Sequence, residues 1–453
     1  MKRIIRFALA AVLCCGAGLF TACTEERDNP VAPTEDDAAV ANRKMLVSHI
    51  ETDARLMAER FSTESFTATS QAYAQLLALI RLDRNFISNM KTVLTAIADS
   101  KVSVSPVVVG SELAQMGYLA YITVDNGGFG ARVIFDGKGN SRLVAADNLE
   151  FIFPAKVDGI GTTLFKLIIK NSDDYYLAVS DANIKNMKRL ACINRLPRSL
   201  TMTLTGFIDN QEQTLSQSVV NLELPEKEKS EYVSFDAGSF SITGSQRAFL
   251  SADDESTLDY SLSVVDDMMT LDYDLDRNGA SVVSCMALMK LPKPTSFSSQ
   301  MAANAFDVAD LKAFDIRIAD DLLLTGTIDD GSSFAQYFTD VIKNRQQLDD
   351  ADVLNAAAES LNESCNLLLT CEHASQPEAV KFCVVQQDDK YLIEPAFRQL
   401  DGNGLVPLSQ LVDLQTMDAF NTPFNQSFTP AGNAAGSTLN FYSVFMQMMP
   451  FNQ

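Results

Sequence analysis

The chain has 453 residues and a formal net charge of −22, from 36 basic and 58 acidic side chains. So acidic a surface repels phosphate backbones, which argues against nucleic-acid binding, and disfavours contact with anionic lipid headgroups except through a covalent anchor. A hydrophobic fraction of 47% is enough for a packed core, and the absence of tryptophan removes the flattest stacking surface that sugar sites use.

At the amino end, Lys2, Arg3 and Arg6 precede an apolar run from Phe7 to Phe20, followed by Thr21, Ala22 and Cys23. A basic start, a short apolar stretch and small residues describe a secretory leader, and the run falls short of the roughly 20 apolar residues that span a bilayer. Leu19, Phe20, Thr21, Ala22 and Cys23 together resemble the recognition box of a bacterial lipoprotein signal. The resemblance implies that residues 1–22 are removed and that Cys23 becomes the acylated first residue. Each buried methylene contributes about 0.8 kcal/mol, so several acyl chains, palmitate among them, anchor the protein to the lipid bilayer.

Thr24, Glu25, Glu26, Arg27, Asp28 and Asn29 follow. This acidic cluster resembles the surface-export segment of lipoproteins from anaerobic gut bacteria, which implies an outer-membrane protein facing the cell surface. With Pro30 and Pro33 and its many charges, the stretch 23–37 reads as a flexible acidic tether.

Thr34, ahead of Glu35, Asp36 and Asp37, reads as a helix cap with acids in the first turn. Leu46, Ile50, Ala54, Met57 and Phe61 form one helical stripe. Tyr73, Leu76, Leu77, Ile80, Ile87, Met90, Leu94 and Ile97 form a second. Residues 38–100 are therefore expected to be an antiparallel helical hairpin. From Lys101 the period changes to two. Strands are expected over 118–124, 131–135, 149–153 and 164–169, with turns at Gly127-Gly128 and over Asp136 to Asn140, making 101–197 a first β region. A second, over 198–330, carries expected strands at 200–208, 218–224, 240–243, 258–265, 269–275 and 282–289. A hairpin over 314–328 turns at Asp320-Asp321. In the mixed region 331–453, helices are expected over 333–345 and 350–369 and a hairpin over 380–394, and the last fifty residues show few clear elements. The fold class is α+β and β-dominated: a helical hairpin, antiparallel sheets and a mixed α/β carboxy-terminal part.

Chemistry-bearing patterns are sparse. There are two histidines, His49 and His373. His49 flanks the first stripe. Cys365, Cys371 and His373 give Cys-x5-Cys-x-His, which is not an established zinc spacing. Beyond the anchor, Cys192, Cys285, Cys365, Cys371 and Cys383 are an odd set. They read as small buried hydrophobes, with Cys371–Cys383 the favoured pair if a bridge forms. Asp274, Asp276, Asn278 and Gly279 match the first half of a calcium loop. Position twelve is Cys285 instead of an acid, and Asn278-Gly279 is a strong hairpin signal. The acidic pairs Asp253-Asp254, Asp266-Asp267, Asp320-Asp321, Asp329-Asp330 and Asp388-Asp389 read as solvated turns. No phosphate loop, dinucleotide fingerprint, His-Glu-x-x-His or Gly-x-Ser-x-Gly occurs, and nothing calls for a cofactor. The sequence as a whole resembles lipoproteins displayed by gut bacteria. It leads to a non-enzymatic binding or scaffolding role for a protein, glycan or lipid ligand. A carrier of an apolar ligand between sheets and a carboxylate-based hydrolase are the alternatives.

Overall fold

The computed structural model describes residues 37–60, 64–83, 85–90, 131–138, 140–144, 148–171, 175–179, 194–226, 233–234, 238–251, 254–292, 310–331, 334, 351–387, 390–400, 402, 404–412 and 429–448. Two helices come first, α1 (Asp37–Arg60) and α2 (Glu64–Leu82). In α1, Leu46, Ile50, Ala54 and Met57 recur every three or four residues and are wholly buried, and Tyr73, Leu76 and Leu77 do the same in α2.

Nineteen strands follow among the described residues. They are β1 (Ala131–Phe135), β2 (Ser141–Val144), β3 (Leu149–Val157), β4 (Gly161–Asn171), β5 (Tyr175–Val179), β6 (Asn194–Pro197), β7 (Ser199–Ile208), β8 (Gln211–Glu223), β9 (Val233–Ser234) and β10 (Ser239–Ser251). Then come β11 (Asp254–Val265), β12 (Met268–Arg277), β13 (Ala280–Lys290), β14 (Asp310–Ile318), β15 (Leu322–Ile328), β16 (Cys365–Thr370), β17 (Glu378–Gln387), β18 (Lys390–Arg398) and β19 (Leu405–Pro407). Helix α3 (Ala351–Ser364) precedes β16, and α4 (Thr429–Met448) lies near the carboxy end.

Sixteen strands form one sheet, ordered β19-β18-β17-β16-β15-β14-β13-β12-β11-β10-β8-β7-β4-β3-β1-β2. Every pairing in it is antiparallel except β1 with β3. Strands β5, β6 and β9 make a small second sheet. The first and second β regions and the carboxy-terminal strands thus share a single sheet.

Tight turns set its register. Asp209 and Asn210 (φ 51° and 62°) join β7 to β8, and Asn278 and Gly279 (φ 52° and 77°) join β12 to β13. Both central residues are left-handed, the conformation that matches the twist of a two-residue hairpin. Three strand glycines each face an aromatic ring on the neighbouring strand: Gly206 opposite Phe165, Gly244 opposite Tyr260 and Gly326 opposite Phe314. A Cβ on Gly244 would stand 2.3 Å from Cζ of Tyr260, so only glycine lets that ring lie across the strand.

Helices cover one face. α1 runs over β13 to β15, while α2 covers β3, β8, β10 and β11 and packs against α4. Phe441 of α4 meets the rings of Tyr73 and Phe151 at centroid distances of 5.9 and 5.4 Å. Among the described residues α2 also has a helix partner from the far end of the chain, α4, which the sequence did not indicate.

Other differences have local causes. The expected helix over 350–369 ends at Ser364, and Cys365–Thr370 pairs with β15, because Leu367 and Leu369 gain burial in the sheet. Asn362, in the last turn of α3, bonds both the N–H and the C=O of Phe382, 2.8 Å each, so the helix end caps the strand edge where β16 begins. α4 occupies a stretch that was expected to hold few clear elements. Its Asn, Gly, Ser and Thr content hid the stripe of Ala434, Thr438, Phe441, Tyr442 and Phe445. The leader, Cys23, the tether up to Asp36, Thr34, Phe61, Leu94, Ile97, Gly127-Gly128, the expected strand 118–124, Cys192, Asp253, Asp388-Asp389 and nearly all of the expected helix 333–345 lie outside the described residues, and Asp37 of the expected tether opens α1.

Candidate functional site

Along β11 the side chains alternate. Ser256, Leu258, Tyr260 and Val264 are buried under the helices, and Thr257, Asp259, Ser261 and Ser263 point the other way. Register carries this polar side across the sheet. One row runs Thr243, Ser261, Asp272, Met286 and Asp315, and the next runs Asp259, Asp274, Ser284, Arg317 and Leu323. These residues line a groove of about 560 Å³ on the face away from the helices. Four aspartates, Asp259, Asp272, Asp274 and Asp315, line it together with one arginine, Arg317.

The groove holds its acids against their preference. Asp259 and Asp274 are directly opposed, a placement that like charges disfavour. Desolvation, then repulsion from Asp276 and Asp259, pushes the Asp274 carboxyl above the usual carboxylate range. Desolvation and then Asp259 do the same to Asp276. Asp272 instead accepts a hydrogen bond from the Ser261 hydroxyl at 3.0 Å.

The calcium-loop candidates are placed by this geometry. Asp274 and Asp276 lie on β12, and Asn278 sits in the hairpin turn, where its Oδ1 accepts the Glu255 N–H at 3.0 Å. The run is a strand and its turn, so the hairpin reading holds. Sequence reasoning missed the groove itself. The available signal was the acids at alternate positions of adjacent strands, which converge only once the register is known.

A second cluster forms where α1 crosses the ends of β14, β15 and β16. The α1 side chains strap down three turns. Arg60 makes two bonds to Asp320, at 2.7 and 2.6 Å, and one to the Ser281 carbonyl at 2.7 Å. Asp53 accepts the Leu322 N–H at 2.8 Å, and burial raises its carboxyl. Asn42 accepts the Ser375 N–H at 2.7 Å, and Arg43 pairs with Glu378 at 3.2 Å. Asp320-Asp321, read from sequence as a solvated turn, is thus the docking point for α1. His49, read as a helix flank, places Nδ1 2.7 Å from Oδ2 of Asp321. The other oxygen of Asp321 accepts the Glu372 N–H. Cys371 lies beside them. One ligand atom from each of His49, Asp321 and Cys371 falls within 4.8 Å of the others. The His373 ring is 6.3 Å from that of His49, centroid to centroid.

The described thiols are all free, so the favoured Cys371–Cys383 bridge is absent. Register explains it. Leu367 pairs with Val380, which puts Cys371 and Cys383 at opposite ends of the β16–β17 ladder, about 20 Å apart, against a disulfide Cα span of about 4.4–6.8 Å. Burial pushes the Cys365 thiol up to about 12 and that of Cys383 up to about 11. Cys365 donates to the Leu361 carbonyl at 3.0 Å. These two are inert packing residues, and neither reaches the His49 cluster.

Among the described residues no helix is long and apolar enough to cross a membrane. Comparison with protein families, curated proteins and solved structures found no match to this chain.

Proposed function

We propose that this protein is a lipid-anchored, outer-membrane binding protein, exposed at the cell surface, that receives a cationic ligand on the open face of its sheet. The leader and Cys23 support the location. The observation that carries the binding role is the acidic groove, whose volume is in the range of ligand sites and whose carboxylates are held close at a cost to folding. A neighbouring positive charge relieves that repulsion, so amines and basic peptides match the surface best. The apolar side of the same strands is filled by α1, α2 and α4, which leaves an apolar cargo less room than two packed sheets would.

Titration of the purified protein with polyamines and lysine-rich peptides tests this reading. Saturable binding that weakens with salt, and is lost in an Asp259→Asn, Asp274→Asn double variant, is the expected result. Equal binding by that variant would remove it. For the anchor, a palmitate analogue labels the wild type and not Cys23→Ser; label on both would remove the acylation site. One observation favours the hydrolase as second reading: the raised Asp274 carboxyl faces Asp259 across two strands, an acid–carboxylate pairing of the kind glycosidic cleavage uses. Turnover of a β- or α-glycan panel, abolished by Asp274→Asn, would favour it over simple binding.

A further inference from the structure

From the meeting of His49, Asp321, Cys371 and His373 we propose a zinc-class metal site that clips α1 to the ends of the sheet. The inference stands apart from the groove and does not rest on its ligand.

The chain has two histidines in 453 residues, and both stand at this junction although 323 residues separate them in sequence. The four donors come from three places in the fold. His49 projects from α1, Asp321 from the β14–β15 turn, and Cys371 and His373 from the connection after β16. One nitrogen, one carboxylate oxygen and one sulfur already gather within 4.8 Å. The edges of a zinc tetrahedron built from such donors measure about 3.3–3.8 Å, so closure needs shifts on the order of 1 Å. The His49–Asp321 bond of 2.7 Å would open slightly as each atom turned to the metal.

The surroundings fit a bound ion. Cys371 is buried, and its carbonyl accepts the Ala374 N–H at 3.0 Å, which fixes the turn that presents the sulfur to Asp321 and His49. Asp321 is oriented by the Glu372 N–H on its other oxygen. His49 is 26% exposed, and His373 is exposed, so an ion reaches the site from solvent and His373 swings in as fourth ligand. A mixed S, N and O set suits Zn²⁺ over Mg²⁺ or Ca²⁺, which take oxygen. Binding displaces the Cys371 proton to solvent, and the neutral His49 ligates through Nδ1 with its N–H on Nε2. Because the donors join a helix to two turns, the ion acts as a structural clip.

The test uses purified protein stripped with EDTA, then dialysed against Zn²⁺ and, separately, Co²⁺. One Zn²⁺ per chain is expected, with a cobalt spectrum showing tetrahedral visible bands and a thiolate charge-transfer band. Cys371→Ser should lose the charge-transfer band, and His373→Ala, an exposed change that spares the fold, should weaken zinc by roughly tenfold or more. Cys383→Ser should keep the full spectrum. Zinc should raise the melting temperature of the wild type and not of His49→Gln. Absence of stoichiometric zinc in the folded wild type, a cobalt spectrum without the thiolate band, or equal zinc affinity in Cys371→Ser and His373→Ala would each overturn the site.

Discussion

On its helix side the central sheet presents Leu204, Ile242, Leu258, Tyr260, Leu271, Tyr273, Cys285 and Ile316, all buried beneath or beside α1, α2 and α4. On the other side the same strands present Thr243, Asp259, Ser261, Asp272, Asp274, Ser284 and Arg317 to the groove. The backbone is shared, so the difference lies wholly in the alternate side chains. The covered face is organised by packing and tolerates little change of volume. The open face carries paired carboxylates that packing does not require. That contrast ties stability to the covered face and leaves the open face for the proposed recognition, and four substitutions probe it.

Phe151 should show the largest effect. Its ring is wholly buried and meets Phe441 edge-on at an interplanar angle of 85°. Phe151→Ala should cost about 3–5 kcal/mol in urea unfolding. Ligand binding in the groove by the folded fraction should be unchanged, since Phe151 is on the other face. Gly244→Ala comes next. The new methyl would stand 2.3 Å from Cζ of the buried Tyr260 ring, so the ring must shift, which should cost about 1–3 kcal/mol. A neutral result would show that the ring swings aside and that the glycine–aromatic pairing is incidental.

Tyr260→Phe reverses the sign. The hydroxyl is fully buried with no hydrogen-bond partner among the described residues, and burial pushes the phenol's pKa up. Removing it deletes a desolvated polar atom while keeping the ring over Gly244. A gain of up to about 1 kcal/mol is expected. A loss would mean that the hydroxyl has a partner in the folded protein, and that the covered face is held by polar bonds as well as by packing.

Much of this architecture was legible in the chain. Period-two alternation marked β7, β11, β12, β13, β14 and β15, and Asn278-Gly279 fixed one of their turns. Period 3.6 marked α1 and most of α2. The misses share a cause: they depend on partners distant in sequence. Leu367 and Leu369 fit a helix stripe as well as a strand, and only pairing with β15 decides between them. Thr438 and Tyr442 look polar until α2 and β10 cover them. Neither cluster of functional interest had a local signature. Asp259 joins Asp274 through strand register, and His49 joins Cys371 through the docking of α1. Residue spacing along the chain encodes neither.

The smallest effect is the most diagnostic of the open face. A carboxyl whose folded-state pKa lies above its ordinary value of 3.8 binds its proton more tightly in the folded protein than in the unfolded chain. Ionising it therefore costs folding free energy, and stability falls as pH rises from about 4 through the folded-state value. Asn at position 274 carries no such cost. Asp274→Asn should match the wild type near pH 3, where the carboxyl is protonated, and should be more stable at pH 7 by a few tenths of a kcal/mol, the scale of a like-charged cross-strand pair. Added salt should shrink the gain, because the repulsion from Asp276 and Asp259 is screened. Urea midpoints for both proteins at pH 3 and pH 7 measure it. A variant that gains stability at neutral pH while losing affinity for cationic ligands would identify Asp274 as kept for binding at the expense of the fold. A variant less stable than wild type at pH 7 would instead place the carboxylate among the groups that hold the sheet together.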